Sequence, residues 1–484
     1  MTRAGARRRG VATLALLWIA AAAVSGFTLR RYLGPLDEGI LMQAATRMAD
    51  GQWPWRDFGW SYGPGEPLVV MALGKLFDPS LLWWRLLRVG ADATSAVLVY
   101  ALVRDQRPRW APAAWAAAAV TAAQPTSANP TGPALAFALA AVLFATRSRP
   151  AWAGAMAALA AFWRPDVGAI AALAAAATLW AAARRDERAA GLQEPHARGD
   201  GALVCLAVAA AGLIVLYAPF LVAAGPRTVW DALVVQASRD GEYWRLPFGF
   251  GGGDAKDFVS WLLPFVAVVT VACAARGRTI GLFALGVGAV VYYASRADLE
   301  HAQGLLIVAA AAAALIRPKP VGAVMLALLL AVGVANRAAA LLRPPDLVPF
   351  ANVRVPPGEA DALPELTASV HRLVAPGEPI YVAPRRSDLV TFSNPLVYYL
   401  AQRPNVLRRD VLLQAKPDEQ RNIVAALRRT KPKVVVRWLA PESAEPEPNR
   451  RGRPSGSTVL DDYLDTAYRE DARFGDYAVL VPRY

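Results

Sequence analysis

The stretch ALVCLAVAAAGLIVLYAPFLVAA, at positions 202–224, contains no charged side chain. A helix of about 20 apolar residues is long enough to cross the hydrocarbon core of a bilayer, which is about 30 Å thick. One such helix can also be buried in the core of a soluble protein, so a single run does not decide the fold class. The rest of the chain decides it, because similar runs recur.

Apolar runs follow one another along residues 11–342, separated by polar loops, and 55% of the chain is hydrophobic. The runs lack the alternation of a membrane β-strand, and only helices and closed barrels satisfy backbone hydrogen bonds in lipid. The sequence therefore predicts an α-helical polytopic membrane bundle of about eleven transmembrane helices. The predicted spans are 11–29, 86–103, 110–126, 132–146, 150–163, 167–183, 202–224, 258–275, 279–295, 302–316 and 321–342.

The net charge of +14 follows a pattern along the loops. Basic clusters mark the cytoplasmic loops of multi-pass proteins, and here they fall on alternate loops. We therefore predict a plasma-membrane protein with a cytoplasmic N-terminus and an extracytoplasmic C-terminus. The arginines form no dense basic and aromatic stripe, so no nucleic-acid partner is expected. The basic clusters are Arg7–Arg9, Arg104–Arg109, Arg147–Arg149, Arg184–Arg188, Arg276–Arg278 and Arg317–Lys319.

The composition changes near residue 343, after which proline and charged residues are frequent and no run could span a membrane. We predict two domains: a transmembrane domain at 1–342, with a first external loop at 30–80, and a small extracytoplasmic α/β domain at 343–484. Strands are predicted at 380–383, 434–438 and 477–481. A helix is predicted at 417–430, because acidic residues begin it and arginines end it, as the helix dipole favours.

Charged residues gather in three external loops, whereas the middles of the predicted helices are nearly free of charge. An ion pump would need ionisable groups at mid-depth, whereas a polar cap over an apolar bundle suits a reaction at the membrane surface. The first loop has Asp37 and Glu38 just after the first span, then Arg56, Asp57 and Tyr62. The other two loops contribute Arg164 with Asp166, and Arg296 with Asp298 and His301.

Each of these clusters also has a purely structural interpretation. The acids at 37 and 38 could cap a helix that starts at Gly39. The pairs Arg56–Asp57 and Arg164–Asp166 could be ordinary ion pairs, and 296–301 could be a solvated turn. Tyr62 could belong to a simple turn. The tryptophans at 53, 55, 60, 83 and 84 are more typical of an interfacial belt than of sugar-stacking platforms.

The stretch 36–73 resembles polyprenol-phosphate-sugar-dependent glycosyltransferases of the GT-C fold, and is nearest to the bacterial relatives of protein mannosyltransferases and aminoarabinose transferases. The resemblance rests on the Asp-Glu pair, on Ala49-Asp50-Gly51, and on the motifs at 53–58 and 62–64. The many spans and the external tail also fit this family. The segments FWRPDVG (162–168) and PLVYYLAQRP (395–404) look like patterns in its uncharacterised bacterial members.

The resemblance implies transfer of a hexosyl or pentosyl group from a polyprenyl-phosphate-linked sugar donor to an envelope glycan, lipid or protein acceptor. In this family an acid early in the first external loop has the catalytic role, which falls here on Asp37, with Glu38 beside it. External arginines suit a lipid phosphate because the guanidinium fork binds two oxygens. The arginines predicted to bind substrate are Arg56, Arg85, Arg88, Arg164 and Arg296. No cofactor is predicted, and a divalent metal stays an open question.

An alternative function is non-catalytic binding or transport of a lipid-linked envelope precursor. A transporter should show inverted repeats and interrupted helices in mid-membrane, and the sequence shows neither. A binding protein with a degenerate site would keep most of the same residues, so the sequence leaves that possibility open.

Overall fold

The structure is a computed structural model. It describes residues 3–123, 128–189, 200–246, 255–275, 279–317, 319–389, 392–410, 416–444 and 454–483. Its helices are α1 (Arg3–Gly26), α2 (Asp37–Ala49), α3 (Gly65–Phe77), α4 (Leu82–Arg104), α5 (Ala111–Ala122), α6 (Thr131–Thr146), α7 (Pro150–Trp163), α8 (Pro165–Ala189), α9 (Asp200–Ala224), α10 (Pro226–Trp230), α11 (Ala237–Trp244), α12 (Ala255–Cys273), α13 (Ile280–Ser295), α14 (Leu299–Leu315), α15 (Lys319–Leu342), α16 (Pro357–Leu373), α17 (Leu396–Leu400), α18 (Pro417–Thr430) and α19 (Val459–Ala467).

The strands are β1 (Val348–Phe350), β2 (Val353–Val355), β3 (Tyr381–Ala383), β4 (Val435–Trp438), β5 (Tyr468–Phe474) and β6 (Tyr477–Pro482). Strands β1 and β2 form an antiparallel pair. The other four form one sheet in the order β3-β4-β6-β5, in which only β3 and β4 run parallel.

Each predicted span coincides with a helix of the structure, so the predicted helical membrane bundle is confirmed. Helices α4, α8, α9 and α15 are long and apolar enough to cross a membrane. At the other predicted spans the apolar helical segments are shorter, at 10–17 residues, so the number of spans stays a prediction. The predicted cytoplasmic arginines Arg276 and Arg278 lie outside the described residues.

The described chain forms two compact units. The first contains 1–29, 85–219 and 248–345, and the second contains 30–84, 220–247 and 346–484. The first external loop is therefore grouped with the tail rather than with the apolar helices. The division predicted from sequence, 1–342 and 343–484, stays a prediction about independently folding domains.

The core of the first unit is built from alanine-rich helices that pack closely. In α14, residues Ala309–Ala312 are fully buried. Small side chains let helix backbones approach one another in a membrane bundle. Gly322 of α15 shows how close this approach is, because a Cβ atom there would lie 2.0 Å from the carbonyl oxygen of Ala313.

The second unit contains the α/β elements that the sequence predicted. Strands β3, β4 and β6 and helix α18 all lie at the predicted positions, so the α/β character of the tail is confirmed. Strand β5 was not predicted, since its sequence YREDARF has no apolar alternation. It forms because it pairs with β6 along its length at the edge of the sheet, where charged side chains are exposed.

Candidate active site

The predicted catalytic acids occupy the first turn of α2, which begins at Asp37 rather than at Gly39. The N-cap residue, Leu36, makes no side-chain hydrogen bond to the first turn of the helix. Asp37 is half-buried, whereas Glu38 is only 1% exposed. The two neighbouring acids therefore have different surroundings. A buried carboxylate such as that of Glu38 must be held by hydrogen-bond donors, whereas Asp37 is partly open to solvent.

Glu38 is held by hydrogen bonds to both of its carboxylate oxygens. The indole N–H of Trp84 donates to Oε1 at 2.6 Å, and the backbone N–H of Gly34 donates to Oε2 at 2.8 Å. A carboxylate held in this way fixes the start of α2 and leaves few lone pairs for a substrate. Glu38 therefore holds the first turn of α2, which carries Asp37, in place.

Glu66 is a third acid at this site, and it was not predicted from the sequence. It lies in the first turn of α3 and is 3% exposed. Its Oε2 atom is buried and accepts no hydrogen bond from the described residues. Burial raises the pKa of Glu66 well above its usual range, and the nearby charge of Asp37 raises it further.

Asp37 lies near enough to Glu66 for its charge to raise the pKa of Glu66. Two carboxyl groups that share a site do not both ionise readily, and the buried one is the one whose charged form burial disfavours. One signal in the sequence pointed to Glu66: an acid that opens an apolar helix directly after the turn Gly63-Pro64-Gly65. Such an acid is ordinarily explained by the helix dipole, which is why the sequence did not single it out.

The loop between α2 and α3 is tied together by its own tryptophans. The Trp55 indole donates to the carbonyl of Trp60, and the Trp60 indole donates to the carbonyl of Gly63, each at 2.8 Å. Trp55, Trp60 and Trp84 are 3%, 4% and 6% exposed. The expected interfacial belt is therefore wrong for these three residues, because their rings fill the interior of the second unit and their N–H groups bind protein oxygens.

The substrate-binding residues predicted in the same loop lie nearer its surface. Arg56 forms an ion pair with Asp57 at 2.7 Å, and their side chains are 47% and 32% exposed. Asp57 also accepts from the backbone N–H of Trp53 at 2.8 Å. Hydrogen bonding to Arg56 lowers the pKa of Asp57 against the opposing effect of burial. Tyr62 packs edge-on against Trp60, with ring centroids 5.6 Å apart.

Arg85 and Arg88 lie in the first turns of α4 and belong to the first unit. Arg85 is 5% exposed and donates to the carbonyl oxygen of Leu29 at 2.9 Å. Arg88 is half-buried and faces the buried Asp92, one turn further along the helix. Asp92 also accepts a hydrogen bond from Ser25 of α1.

The second of the three predicted loop clusters lies where α7 meets α8. Arg164 forms a two-pronged ion pair with Asp166, with N–O distances of 3.0 and 2.7 Å. It also donates to Thr131 Oγ1 at 2.9 Å. The guanidinium carbon of Arg164 lies 4.5 Å from the ring centroid of Tyr292 in α13.

The third cluster is organised around Asp298, which caps the N-terminus of α14. Asp298 accepts from Arg296 Nε at 2.8 Å and contacts His301 Nδ1 at 2.7 Å. Burial would raise the pKa of Asp298, but the hydrogen bonds from His301 and the charge of Arg296 outweigh it, and the pKa is lowered. An aspartate that binds Nδ1 orients the imidazole so that Nε2 faces outward.

Tyr292 connects the second and third clusters. Its ring lies against Arg164, and its centroid is 5.1 Å from that of the His301 ring. The structure thus brings together two groups of predicted residues that are separated by about 130 positions. Tyr292 was not predicted, because an aromatic residue near the end of an apolar helix carries no distinctive signal. The prediction that these residues share one cavity with Asp37 stays a prediction.

Among the residues that the structure describes, no group of three or more His, Cys, Asp or Glu side chains could hold a metal ion. The question of a divalent metal therefore stays open, as it did from the sequence.

No protein-family model matches this sequence, and no curated protein matches it. Solved structures do match its fold. ArnT from Cupriavidus metallidurans in the apo state has a TM-score of 0.56 at 14% identity, covering 98% of each chain. The same enzyme bound to undecaprenyl phosphate has a TM-score of 0.53 at 13% identity, covering 99% of this chain and 98% of that chain.

The mycobacterial arabinofuranosyltransferase AftD is a further match, with a TM-score of 0.51 at 12% identity. The alignment covers 98% of this chain but 40% of AftD. Likeness at such low identity shows the fold alone. The GT-C fold that the sequence resemblance implied is thereby confirmed.

Proposed function

We propose that this protein is a membrane glycosyltransferase that moves a sugar from a polyprenyl-phosphate donor to a cell-envelope acceptor. The observation that supports it best is the pairing of half-buried Asp37 with buried Glu66 at the starts of α2 and α3. A buried carboxyl with a strongly raised pKa beside a half-buried carboxyl can supply a proton-bearing group and a base in one place. ArnT, whose fold this chain shares, has been crystallised with undecaprenyl phosphate, which supports a donor of that class.

In the proposed reaction, Asp37 accepts the proton of the acceptor hydroxyl while the hydroxyl oxygen attacks the anomeric carbon of the sugar. The bond from that carbon to the phosphate oxygen breaks, and its electron pair leaves with the polyprenyl phosphate. Glu66 stays protonated, so it can donate a hydrogen bond without adding negative charge beside the leaving phosphate. Glu38 holds the first turn of α2 in place through Trp84 and Gly34.

Of the five external arginines predicted to bind substrate, Arg56, Arg85 and Arg88 are proposed to bind the lipid phosphate. Arg164 and Arg296 each bind an aspartate already, so a phosphate would have to share or displace that carboxylate. For these two clusters we favour contacts to sugar or acceptor hydroxyls, which Asp166, Asp298 and His301 can bind. Asp57 and Tyr62 are proposed to contact substrate from the first loop.

We further propose that the site faces the extracytoplasmic side of the plasma membrane, with the N-terminus in the cytoplasm. The alternation of basic clusters along the loops supports this orientation. The proposed donor is linked to a lipid phosphate and not to a nucleotide, so the enzyme needs no nucleotide-binding motif. The sequence shows none.

The test is a transfer assay with the purified protein in lipid nanodiscs. A panel of undecaprenyl-phosphate-linked hexoses and pentoses is added with envelope extract as acceptor, and release of undecaprenyl phosphate is measured by mass spectrometry. Release that depends on both acceptor and Asp37 supports the proposal. Saturable binding of undecaprenyl phosphate without turnover for any donor would favour the alternative, a protein that binds or transports a lipid-linked precursor.

A further inference from the structure

The tail segment 394–410 contacts the helix that carries the candidate catalytic acid, and no function has yet been assigned to it. It includes the motif PLVYYLAQRP at 395–404. The contacts all lie within the second unit. They occur at both ends of α2 and in the loop that follows it.

The first contact is at the N-terminal turn of α2. A Cβ atom on Gly39 would lie 2.2 Å from the backbone nitrogen of Leu396 and 2.8 Å from the carbonyl carbon of Pro395. Because the atoms it would meet are backbone, no side-chain movement could make room. Only glycine therefore allows α2 to approach α17 this closely, two residues from Asp37.

The start of α17 is in turn fixed to the sheet. The side chain of Asn394 accepts from the backbone N–H of Leu396 at 3.2 Å and donates to the hydroxyl of Tyr477 at 3.1 Å. Tyr477 opens β6, which lies between β4 and β5. Gly39 is thus linked to the four-stranded sheet through its backbone contact with Leu396 and the two hydrogen bonds of Asn394.

The second contact is at the C-terminal end of α2. Arg47 forms an ion pair with Asp410 at 3.1 Å, with side chains that are 9% and 2% exposed. Arg47 also donates to the carbonyl oxygen of Leu407 at 2.9 Å, and Asn405 donates to Asp410 at 3.0 Å. Burial raises the pKa of Asp410 despite the opposing charge of Arg47. A buried pair of this kind is costly to break, because the remaining charge would be left without a partner.

The two contacts are eight residues apart, which is about 12 Å along a helix at 1.5 Å per residue. Two fixed points at that separation set both the tilt and the rotation of α2. A third contact follows in the next loop, where the backbone N–H of Gly59 donates to the carbonyl of Arg408 at 2.8 Å. The half-buried Tyr399 of α17 also lies close to Glu38. Burial raises the pKa of Tyr399 to about 12, and the charge of Glu38 adds to this increase.

We infer that tail segment 394–410 is a positioning platform for α2, which sets the location of Asp37 through backbone contact at Gly39 and the buried ion pair at Arg47. This inference rests on the proposed function, because it assumes that Asp37 reacts. It gives the tail a part in the transfer reaction that does not require any tail residue to touch substrate. A displacement of about 1 Å at a catalytic group can slow a reaction about a hundredfold.

The test compares Gly39→Ala with Gly74→Ala in the same external loop. At Gly74 a Cβ would meet its nearest atom at 3.6 Å, an ordinary contact. We expect Gly39→Ala to lower kcat about a hundredfold with a change in KM of less than about threefold, and Gly74→Ala to change neither. Normal kcat in Gly39→Ala would overturn the inference.

A second pair of variants covers the case in which Gly39→Ala fails to fold. Arg47→Ala should lower kcat, and Arg47→Lys should recover most of it, since a lysine can still pair with Asp410. Equal losses in both variants would contradict a role for the ion pair. Hydrogen exchange is measured on the same proteins.

Hydrogen exchange separates loss of position from loss of fold. Amides of α2 should exchange about tenfold faster in Gly39→Ala and Arg47→Ala, while those of β3, β4 and β6 keep their protection. Faster exchange of the sheet and α2 together would mean global unfolding and would overturn the inference, as would unchanged exchange of α2. If the wild-type protein transfers no sugar, the proposed function fails, whereas α2 exchange still decides whether the platform holds the helix.

Discussion

Replacing Asp37 with asparagine separates the two roles that a carboxylate at the start of α2 can have. Asparagine at the first position of α2 loses only the negative charge that favours a helix start, but it cannot accept a proton from an acceptor hydroxyl. If Asp37 is the general base, the variant should fold and insert normally and lose nearly all transfer activity. If Asp37 serves only the helix, activity should survive.

The magnitudes of the two effects differ enough to be measured apart. Loss of a general base costs about a hundredfold to ten-thousandfold in rate, or about 2.7–5.4 kcal/mol at 1.36 kcal/mol per tenfold. Loss of a charge at a helix start costs about 0.3–1 kcal/mol of stability. The net change in stability should therefore stay within about 1 kcal/mol.

The assay measures release of undecaprenyl phosphate and thermal unfolding on the same preparations. Asp50→Asn is the matched control, because Asp50 is an exposed aspartate directly after the other end of α2. It should keep wild-type turnover and stability. Turnover of Asp37→Asn within about threefold of wild type, with loss of turnover in Glu38→Gln, would show that the wrong carboxylate was assigned. Activity in both variants would refute the proposed mechanism.

Three further changes test Glu66, Trp84 and the membrane topology. Transfer should fall as pH rises through the raised pKa of Glu66. The variant Glu66→Gln stays neutral, so it should remove that limb of the pH–rate profile. A limb that persists in the variant would exclude Glu66 as its source. The same shift makes the folded wild type lose stability as pH rises from the ordinary carboxyl range, since the folded state holds the proton more tightly than the unfolded state. Trp84→Phe should cost about 1–3 kcal/mol in thermal unfolding, because buried Glu38 loses a donor, and Trp83→Phe should cost less, because its indole bond is exposed. Reporter fusions after Arg188 and Pro344 should give cytoplasmic and external signals respectively, and either opposite signal would contradict the topology.

The fold class was predictable because its signals lie in consecutive residues. Apolar runs at the length of a membrane span gave the positions of the helices, including the alanine-rich ones at 111–122 and 150–163. In the tail, β3, β4 and β6 were predicted because buried strands are continuous apolar runs. Strand β5 was missed because pairing with β6 stabilises it, and its own charged sequence carries no signal of that pairing.

The residues of the candidate site were only partly predictable. The sequence selected Asp37 and Glu38 but could not separate them, since their difference arises from Trp84 and Gly34 closing around Glu38 alone. The pairing of Asp37 with Glu66 brings together the starts of two helices, and the contact of Arg164 and His301 with Tyr292 joins three. None of these pairings has a spacing rule in the sequence.

Hydropathy and charge determined that this chain is a helical membrane protein with a polar tail. Each segment must match its own surroundings, apolar in lipid and polar in water, so its local composition shows where it lies. The raised pKa of Glu66, the hydrogen bonds that hold Glu38 and the packing of α2 against segment 394–410 were decided only by tertiary structure. The electrostatic energy of a carboxyl depends on burial and on charges a few ångströms away, and the groups that supply them come from distant parts of the chain.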